Sequence, residues 1–209
     1  MADSTLADLR TAGQTMLAAN ADNVNDLIYY WDDSQTGIAK SRSMTIAELL
    51  KLVASMSVSY VSSATLTRPA NVTAYTAGDC VGGALTFATI APSAGGRIAI
   101  ANLDIIYNIA AIAAGMNFRL YLYSVTPPSA IADNAAWDLP SGDRASYLGY
   151  VDIGVPQDLG SSLVSQADAL NKIVSTASGS LYGYLVALTG FTPAANSETY
   201  TIRILSYDV

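Results

Sequence analysis

From Tyr60 onward the chain is a succession of short strand-like runs divided by Gly, Pro, Asn and Asp, with no long helical repeat between them. The runs are Tyr60–Leu66, Cys80–Phe87, Arg97–Ile109, Phe118–Val125, Tyr147–Ile153, Ile173–Ser175, Leu181–Thr189 and Thr199–Tyr207. Several alternate in character, as in Arg119-Leu120-Tyr121-Leu122-Tyr123, and are rich in β-branched, aromatic and leucine residues. Short strands following one another without crossover helices cannot form a parallel sheet, so the pattern predicts a mainly β, antiparallel β-sandwich. The jelly roll is the common eight-stranded form of that architecture. The run Ala110-Ala111-Ile112-Ala113-Ala114 favours a helical turn by local propensity, which predicts an early end to the third strand. Gly82-Gly83 and Gly95-Gly96 read as turns or bulges, because neither opens a phosphate-binding pattern.

Residues 1–59 follow different rules and read as a partly helical N-terminal arm, leaving 60–209 as the β-sandwich domain. Leu6, Leu9, Ala12, Met16 and Leu17 recur at helical spacing behind Ser4, which is available as a cap. The run Leu27-Ile28-Tyr29-Tyr30-Trp31 reads as a short extended segment closed by the turn-forming Asp32 to Gly37. Thr45 and Glu48 form a capping box before the apolar stripe Ile46, Leu49, Leu50 and Val53. Helices this short are marginal alone, so their stripes must dock. They cover one end of the β domain or they meet another subunit, in which case Leu6, Leu9, Leu27, Tyr29, Tyr30 and Trp31 are the partner-binding candidates.

Composition narrows the function. The 209 residues contain no histidine, one cysteine (Cys80) and 13% charged residues, against 51% hydrophobic residues and 13 tyrosines. Most chemistry at neutral pH recruits His, Cys thiolate or clustered carboxylates and lysines, so the chain reads as one that packs and binds rather than as an enzyme. Cys80 has no neighbouring Lys, Arg or His to depress its pKa and reads as a small buried hydrophobe. Asp32-Asp33 is the one adjacent acidic pair, and it sits in a hairpin-like turn where a two-carboxylate glycosidase site is a poor fit. Asp133, Asp138 and Asp143 share a loop at a spacing that matches no calcium loop. No metal or cofactor is therefore expected.

The formal charge of −7 with scattered bases predicts no nucleic-acid partner. Asn102, Asp104, Asn108 and Gly115 interrupt the most apolar stretch, so no spanning helix is expected. Met1-Ala2-Asp3-Ser4 lacks the basic and apolar regions of a signal peptide. The long loop from Thr126 to Ser146 carries Trp137, which reads as a plug for the end of the sandwich, a subunit contact or a sugar platform.

The stretch Leu66-Thr67-Arg68-Pro69-Ala70-Asn71-Val72-Thr73-Ala74-Tyr75-Thr76-Ala77-Gly78-Asp79-Cys80-Val81-Gly82 resembles one that recurs in virion structural proteins of tailed bacteriophages. Leu120-Tyr121-Leu122-Tyr123, Pro127-Pro128, Ala132-Asp133-Asn134 and Tyr147-Leu148-Gly149 look like its continuation, so the likeness spans residues 60–209. The resemblance implies a structural role without choosing between head and tail; taken with the non-enzymatic composition and the two-part layout, the reading is a capsid decoration (cement) protein, with the major capsid protein as partner and a homo-oligomer, a trimer foremost, as its state. It places the chain on the capsid surface of a virion assembled in the host bacterial cytoplasm. The alternative it leaves open is a tail or fibre-attachment module that binds another virion protein or a host glycan. It carries no catalytic residues. By local physics alone the same stretch leaves a strand at Arg68-Pro69, crosses as a loop and turns into the next strand at Ala77-Gly78-Asp79.

Overall fold

The structure, a computed structural model, describes Leu27–Trp31, Ser41–Thr45 and residues 58–209. The chain divides into two units, residues 1–57 and 58–209. In the first unit, β1 (Leu27–Trp31) pairs antiparallel with β2 (Ser41–Thr45), setting Leu27 opposite Thr45 and Trp31 opposite Ser41. The extended segment read from Leu27 to Trp31 is thus a strand; its partner Ser41–Thr45, polar except for Met44, had no strand signal. The helices predicted from Ser4 and after Thr45, with Leu6 and Leu9, lie outside the described residues.

The second unit is entirely antiparallel in its two sheets, and no helix occurs among the described residues. Its strands are β3 (Ser59–Thr67), β4 (Cys80–Phe87), β5 (Gly96–Tyr107), β6 (Phe118–Tyr123), β7 (Tyr147–Gly154), β8 (Gln157–Asp158), β9 (Leu163–Ala167), β10 (Lys172–Thr176), β11 (Leu181–Ala187) and β12 (Thr199–Asp208). One sheet runs β3-β12-β5-β9-β8, with β10 also pairing β5; the other runs β4-β11-β6-β7. β10 and β9 divide one edge of β5 between them, β10 taking Gly96 to Ile100 and β9 taking Leu103 to Tyr107. Ala169 and Asn171, both at positive φ, make the excursion between the two.

One core fills the space between the sheets. Ile98, Ile100, Leu103, Ile105, Tyr107, Tyr200, Ile202 and Ile204 from the first sheet meet Leu85, Phe87, Phe118, Leu120, Leu122, Val151, Ile153 and Leu185 from the second. The alternation along each strand explains the choice, since every second residue faces the same side. At its centre Phe118 lies 5.4 Å from Phe191, 5.8 Å from Tyr200 and 6.1 Å from Tyr107, measured between ring centroids. Polar side chains that enter this interior have fixed partners: the Tyr107 hydroxyl shares a 3.0 Å hydrogen bond with the Ser165 hydroxyl, and the Ser206 hydroxyl donates to the Ile90 carbonyl at 2.7 Å.

The alanine run does not form a helix. β5 ends at Tyr107, where Asn108 exchanges hydrogen bonds with Thr199, and residues 108–117 cross as a loop. Gly115 explains why the propensity loses: its φ is +88°, and a Cβ there would stand 2.2 Å from the Gly190 carbonyl oxygen. Gly115→Ala therefore combines a left-handed backbone with a collision. We expect it to cost at least about 2 kcal/mol and to lower Tm by roughly 4–8 °C, readable by calorimetry. An unchanged Tm would mean that the loop can move freely off Gly190. Gly82-Gly83 proves to be a bulge, because β4 spends Gly82, Gly83 and Ala84 where β11 spends only Tyr184. Gly95 closes a turn onto Pro92.

Candidate functional site

The stretch from Leu66 to Gly82 carries a buried polar clamp centred on Arg68 and Tyr75, while residues 69–74 between them are exposed. Arg68 leaves the end of β3 and is 2% exposed. Its Nε donates to the Tyr75 hydroxyl at 2.8 Å, its Nη1 donates to the Ala195 carbonyl at 3.4 Å, and the same nitrogen stands 3.7 Å from Glu198 Oε2. Glu198 is fixed in turn by the Tyr200 hydroxyl at 2.6 Å and by the Ala195 amide at 2.8 Å. The Tyr75 hydroxyl donates in turn to Asp133 Oδ1 at 2.7 Å, and the Gly82 amide donates to that oxygen at 2.7 Å. Each buried charge thus has a partner, the condition on which a charge survives burial.

The rest of the stretch closes around this clamp. The Tyr75 ring stacks on Phe191 at 5.0 Å. Asp79 accepts from the Thr76 amide and hydroxyl at 2.6 and 2.8 Å, closing a turn in which Gly78 sits at φ +95°. Asn71 accepts from the Thr73 amide at 3.0 Å, an Asx turn. The strand beginning at Cys80 is then stitched to residues 134–137: Cys80 donates to Ala135, Asn134 to Cys80 and Trp137 to Gly78 through the backbone. Asn134 holds the left-handed φ of +59° that this crossing needs. The turns read at Arg68-Pro69 and Ala77-Gly78-Asp79 are present, and Ala132-Asp133-Asn134 is the segment they grip.

The same stitching lays the long loop of residues 124–146 over the outer face of the four-stranded sheet. Cys80, Tyr123, Tyr184 and Val186 form a second buried cluster there, with Tyr121, Trp137, Leu139 and Tyr147 packed against it. The Tyr184 hydroxyl donates to the Ser129 carbonyl at 3.1 Å and accepts from the Ile131 amide at 3.3 Å, holding the loop down. Trp137 is half-buried and lies on Tyr121, its ring 3.7 Å away and inclined by 13°. The Trp137 indole nitrogen and the Tyr123 hydroxyl are both buried without a well-aligned partner. Beside them Arg119 forms a bidentate pair with Asp152, at 2.6 and 3.0 Å, and its guanidinium lies 3.7 Å over the Tyr150 ring.

Other residues singled out in the sequence fall apart in space or outside the described residues. Asp133, Asp138 and Asp143 do not converge: Asp133 serves Tyr75 and Gly82, Asp143 is buried and accepts from the Ser129 amide at 3.4 Å, and Asp138 is exposed. Among the described residues no group of three potential ligands gathers around a metal-sized space. Leu27, Tyr29, Tyr30 and Trp31 lie on β1, with Tyr29 opposite Ser43 and Tyr30 opposite Arg42. Sequence reading missed Arg68, Tyr75 and Glu198 as a group; their signal was present in the stretch itself, but Glu198 lies 130 residues from Arg68.

Burial sets the acid chemistry of these clusters. Removal from water raises the Cys80 thiol to about 12 and the Tyr123 hydroxyl to about 12, and it raises Tyr75, Tyr107 and Tyr200 as well. In the unfolded chain a thiol titrates near 8.5 and a phenol near 10, roughly. As the pH rises, the unfolded chain therefore loses these protons first, and stability is complete below about 8.5 and falls between about 9 and 12. Urea midpoints at pH 7, 9.5 and 11 should decrease in that order, with Cys80 unreactive toward a thiol reagent at pH 8 until the chain unfolds. Level midpoints would contradict this burial.

No family model and no curated protein matches the chain. Solved structures with some similarity include Cocksfoot mottle virus, at 10% identity and a TM-score of 0.23 over 70% of this chain and 91% of that one. Rhinovirus-B5 is similar at 11% identity and a TM-score of 0.23, over 93% of this chain and 88% of that one. Superpositions at that level carry no weight for the function of this chain.

Proposed function

We propose that this chain is a non-enzymatic structural protein of a virion, one that binds and stabilises the capsid shell as a decoration protein. The observation that carries the reading is the meeting of the two halves of the phage resemblance. Tyr75 and Gly82 from Leu66–Gly82 both bond to Asp133 of Ala132-Asp133-Asn134, 58 and 51 residues away along the chain. The likeness therefore falls on residues that fix the fold.

The topology is compatible with that role. The orders β3-β12-β5-β9 and β4-β11-β6-β7 are those of an eight-stranded jelly roll, a fold used by viral capsid and lectin domains. Fold alone does not choose between such uses, so the resemblance has to. A decoration protein works by adding buried interface across capsomer boundaries. Contacts of roughly 1,600 Å² each, repeated around a homo-oligomer, would resist internal pressure from packaged DNA. The partners are the major capsid protein and further copies of the chain, a trimer being the simplest assembly at a three-fold position. Residues 1–57 are the proposed docking arm.

The test is sedimentation of the full-length purified chain with heads that lack it. Saturable co-sedimentation and greater resistance of the decorated heads to heat support the reading. Free protein at all ratios, with binding to purified tails instead, would replace it with an attachment role.

A further inference from the structure

The two outer faces of the sandwich differ in what lies on them. The loop of residues 124–146 is laid over the four-stranded sheet. The outward residues of the six-stranded sheet reach the surface themselves, Val61 being 68% and Ile173 50% exposed. An antiparallel sheet with a solvated face ordinarily turns polar residues outward. Register here puts Tyr207, Ala99 and Ile173 in one cross-strand row and Val61 and Leu205 in the next. Ile106 and Val164 stand beyond the row that holds Arg203 and Asp104. A recess of about 260 Å³ opens between Val61, Asn102, Arg203 and Leu205, giving the side chains of a facing surface somewhere to enter.

Polar groups on this face are tied to one another in the plane of the sheet. The Thr65 and Thr201 hydroxyls share a hydrogen bond at 2.9 Å, and the Asn102 amide donates to Asp168. Arg203 holds Asp104 through two bonds of 2.8 and 3.0 Å. A polar group that already has its partner can be covered at little cost.

We propose that this face packs against the same face of a second copy of the chain about a two-fold axis. Charge selects the occupant. The chain carries −7, so most of its surface would meet a copy of itself with like charges opposed. The rows described above hold one acid and one base, Asp104 and Arg203, already paired, and Arg97 stands outside them at the start of β5. An axis running along the strands between β12 and β5 lays each of these two strands over the other in the second copy. Arg203 then faces the partner's Asp104, and Asp104 faces the partner's Arg203. The same operation sets Tyr207 opposite the partner's Ala99, a large side chain against a small one. Aligned sheets pack about 10 Å apart in this way. With strands about 4.8 Å and rows about 6.7 Å apart, four of each cover roughly 500 Å² in plane. The relief of the side chains brings the buried surface toward the roughly 800 Å² per partner of a standard interface. This contact gives the homo-oligomer of the proposed function a surface and rests on that part of it alone. An assembly formed elsewhere on the chain, such as a trimer, would be doubled by it.

Sedimentation velocity of the purified full-length chain, across a concentration series, reads the contact without heads or tails. The parent should contain an even number of copies. Arg203→Glu and Leu205→Asp should each halve that number and weaken self-association at least about tenfold. The exposed Val155, in the turn after β7, is the control, and Val155→Ser should associate as the parent does. Asp104→Arg should dissociate as Arg203→Glu does, and an equimolar mixture of the two should recover the parent mass, because each variant then meets its complement. A face that binds some other protein would not recover in this way. Thermal unfolding of each variant reports that it is folded, and Leu205→Asp decides the matter where Asp104→Arg is not. A monomeric or trimeric parent, or a mass that Arg203→Glu and Leu205→Asp leave unchanged, would overturn the proposal. So would a mixture of folded Asp104→Arg and Arg203→Glu that stays dissociated. Capsid binding is read separately by co-sedimentation with heads, so either conclusion can fail without the other.

Discussion

Arg68→Met should lower the unfolding free energy by about 3–5 kcal/mol, one of the largest effects of a single substitution in this chain. The guanidinium is the sole cation of a buried network in which Glu198 and Tyr75 face it. Glu198 has a side chain with no exposed surface, and Tyr75 is 2% exposed. Without Arg68 the Glu198 carboxylate keeps only the Tyr200 hydroxyl and the Ala195 amide, and a buried charge loses its counterion. Arg203 supplies the internal contrast. Its bidentate pair with Asp104 has better geometry, at 2.8 and 3.0 Å, but the Arg203 side chain is 48% exposed. Arg203→Met should therefore cost no more than about 1 kcal/mol. Urea unfolding of both variants decides it: a midpoint lowered by at least about 1 M for Arg68→Met and nearly unchanged for Arg203→Met is expected. Equal shifts would show that the clamp stabilises no more than a surface pair.

Phe118→Ala should cost a comparable 3–5 kcal/mol, roughly, by a different mechanism. The ring has no exposed surface and touches the aromatic groups of three other segments: Tyr107 on β5, Phe191 in the loop before β12 and Tyr200 on β12. Tyr107 and Tyr200 are fixed in the opposite sheet and Phe191 in a loop bridged to Tyr75, so they cannot collapse into the space without breaking those pairings, and a cavity remains. Tyr150→Ala, also an aromatic truncation on the same sheet, should cost within about 1 kcal/mol because its ring faces solvent and gives up mainly the Arg119 contact. Calorimetry on the two variants separates a cavity from a surface loss. Similar Tm values for both would contradict the placement of the core.

The mainly β, antiparallel architecture was legible because inward and outward residues alternate along β4, β6, β11 and β12 and because Gly, Pro, Asn and Asp punctuate them. β9 was not legible, for a reason that is now visible. Its inward positions are Leu163 and Ser165, and a serine facing the core erases the apolar alternation; it is tolerated because Tyr107 meets its hydroxyl. β8 has only two exposed residues and no hydrophobic signature at all.

The outer face of the four-stranded sheet was half legible. Arg119-Leu120-Tyr121-Leu122-Tyr123 announces that Tyr121 and Tyr123 share a face, but only strand order brings Tyr150 and Tyr184 beside them. Trp137 was read as a plug for the end of the sandwich, a subunit contact or a sugar platform; it packs over Tyr121 on the outer face of the four-stranded sheet, a place that depends on the stitching of residues 134–137 to Gly78 and Cys80. Loop positions carry no period from which this could be read. The clamp was least legible, since Arg68, Asp133 and Glu198 are far apart and each alone looks like a solvated charge.

The central claim, a structural place on the capsid, is tested most directly by immunogold electron microscopy of intact particles, using antibody raised against the full-length chain. Label distributed over the head at regular surface density is expected. Label confined to the tail or its tip, with bare heads, would contradict it and favour an attachment role instead.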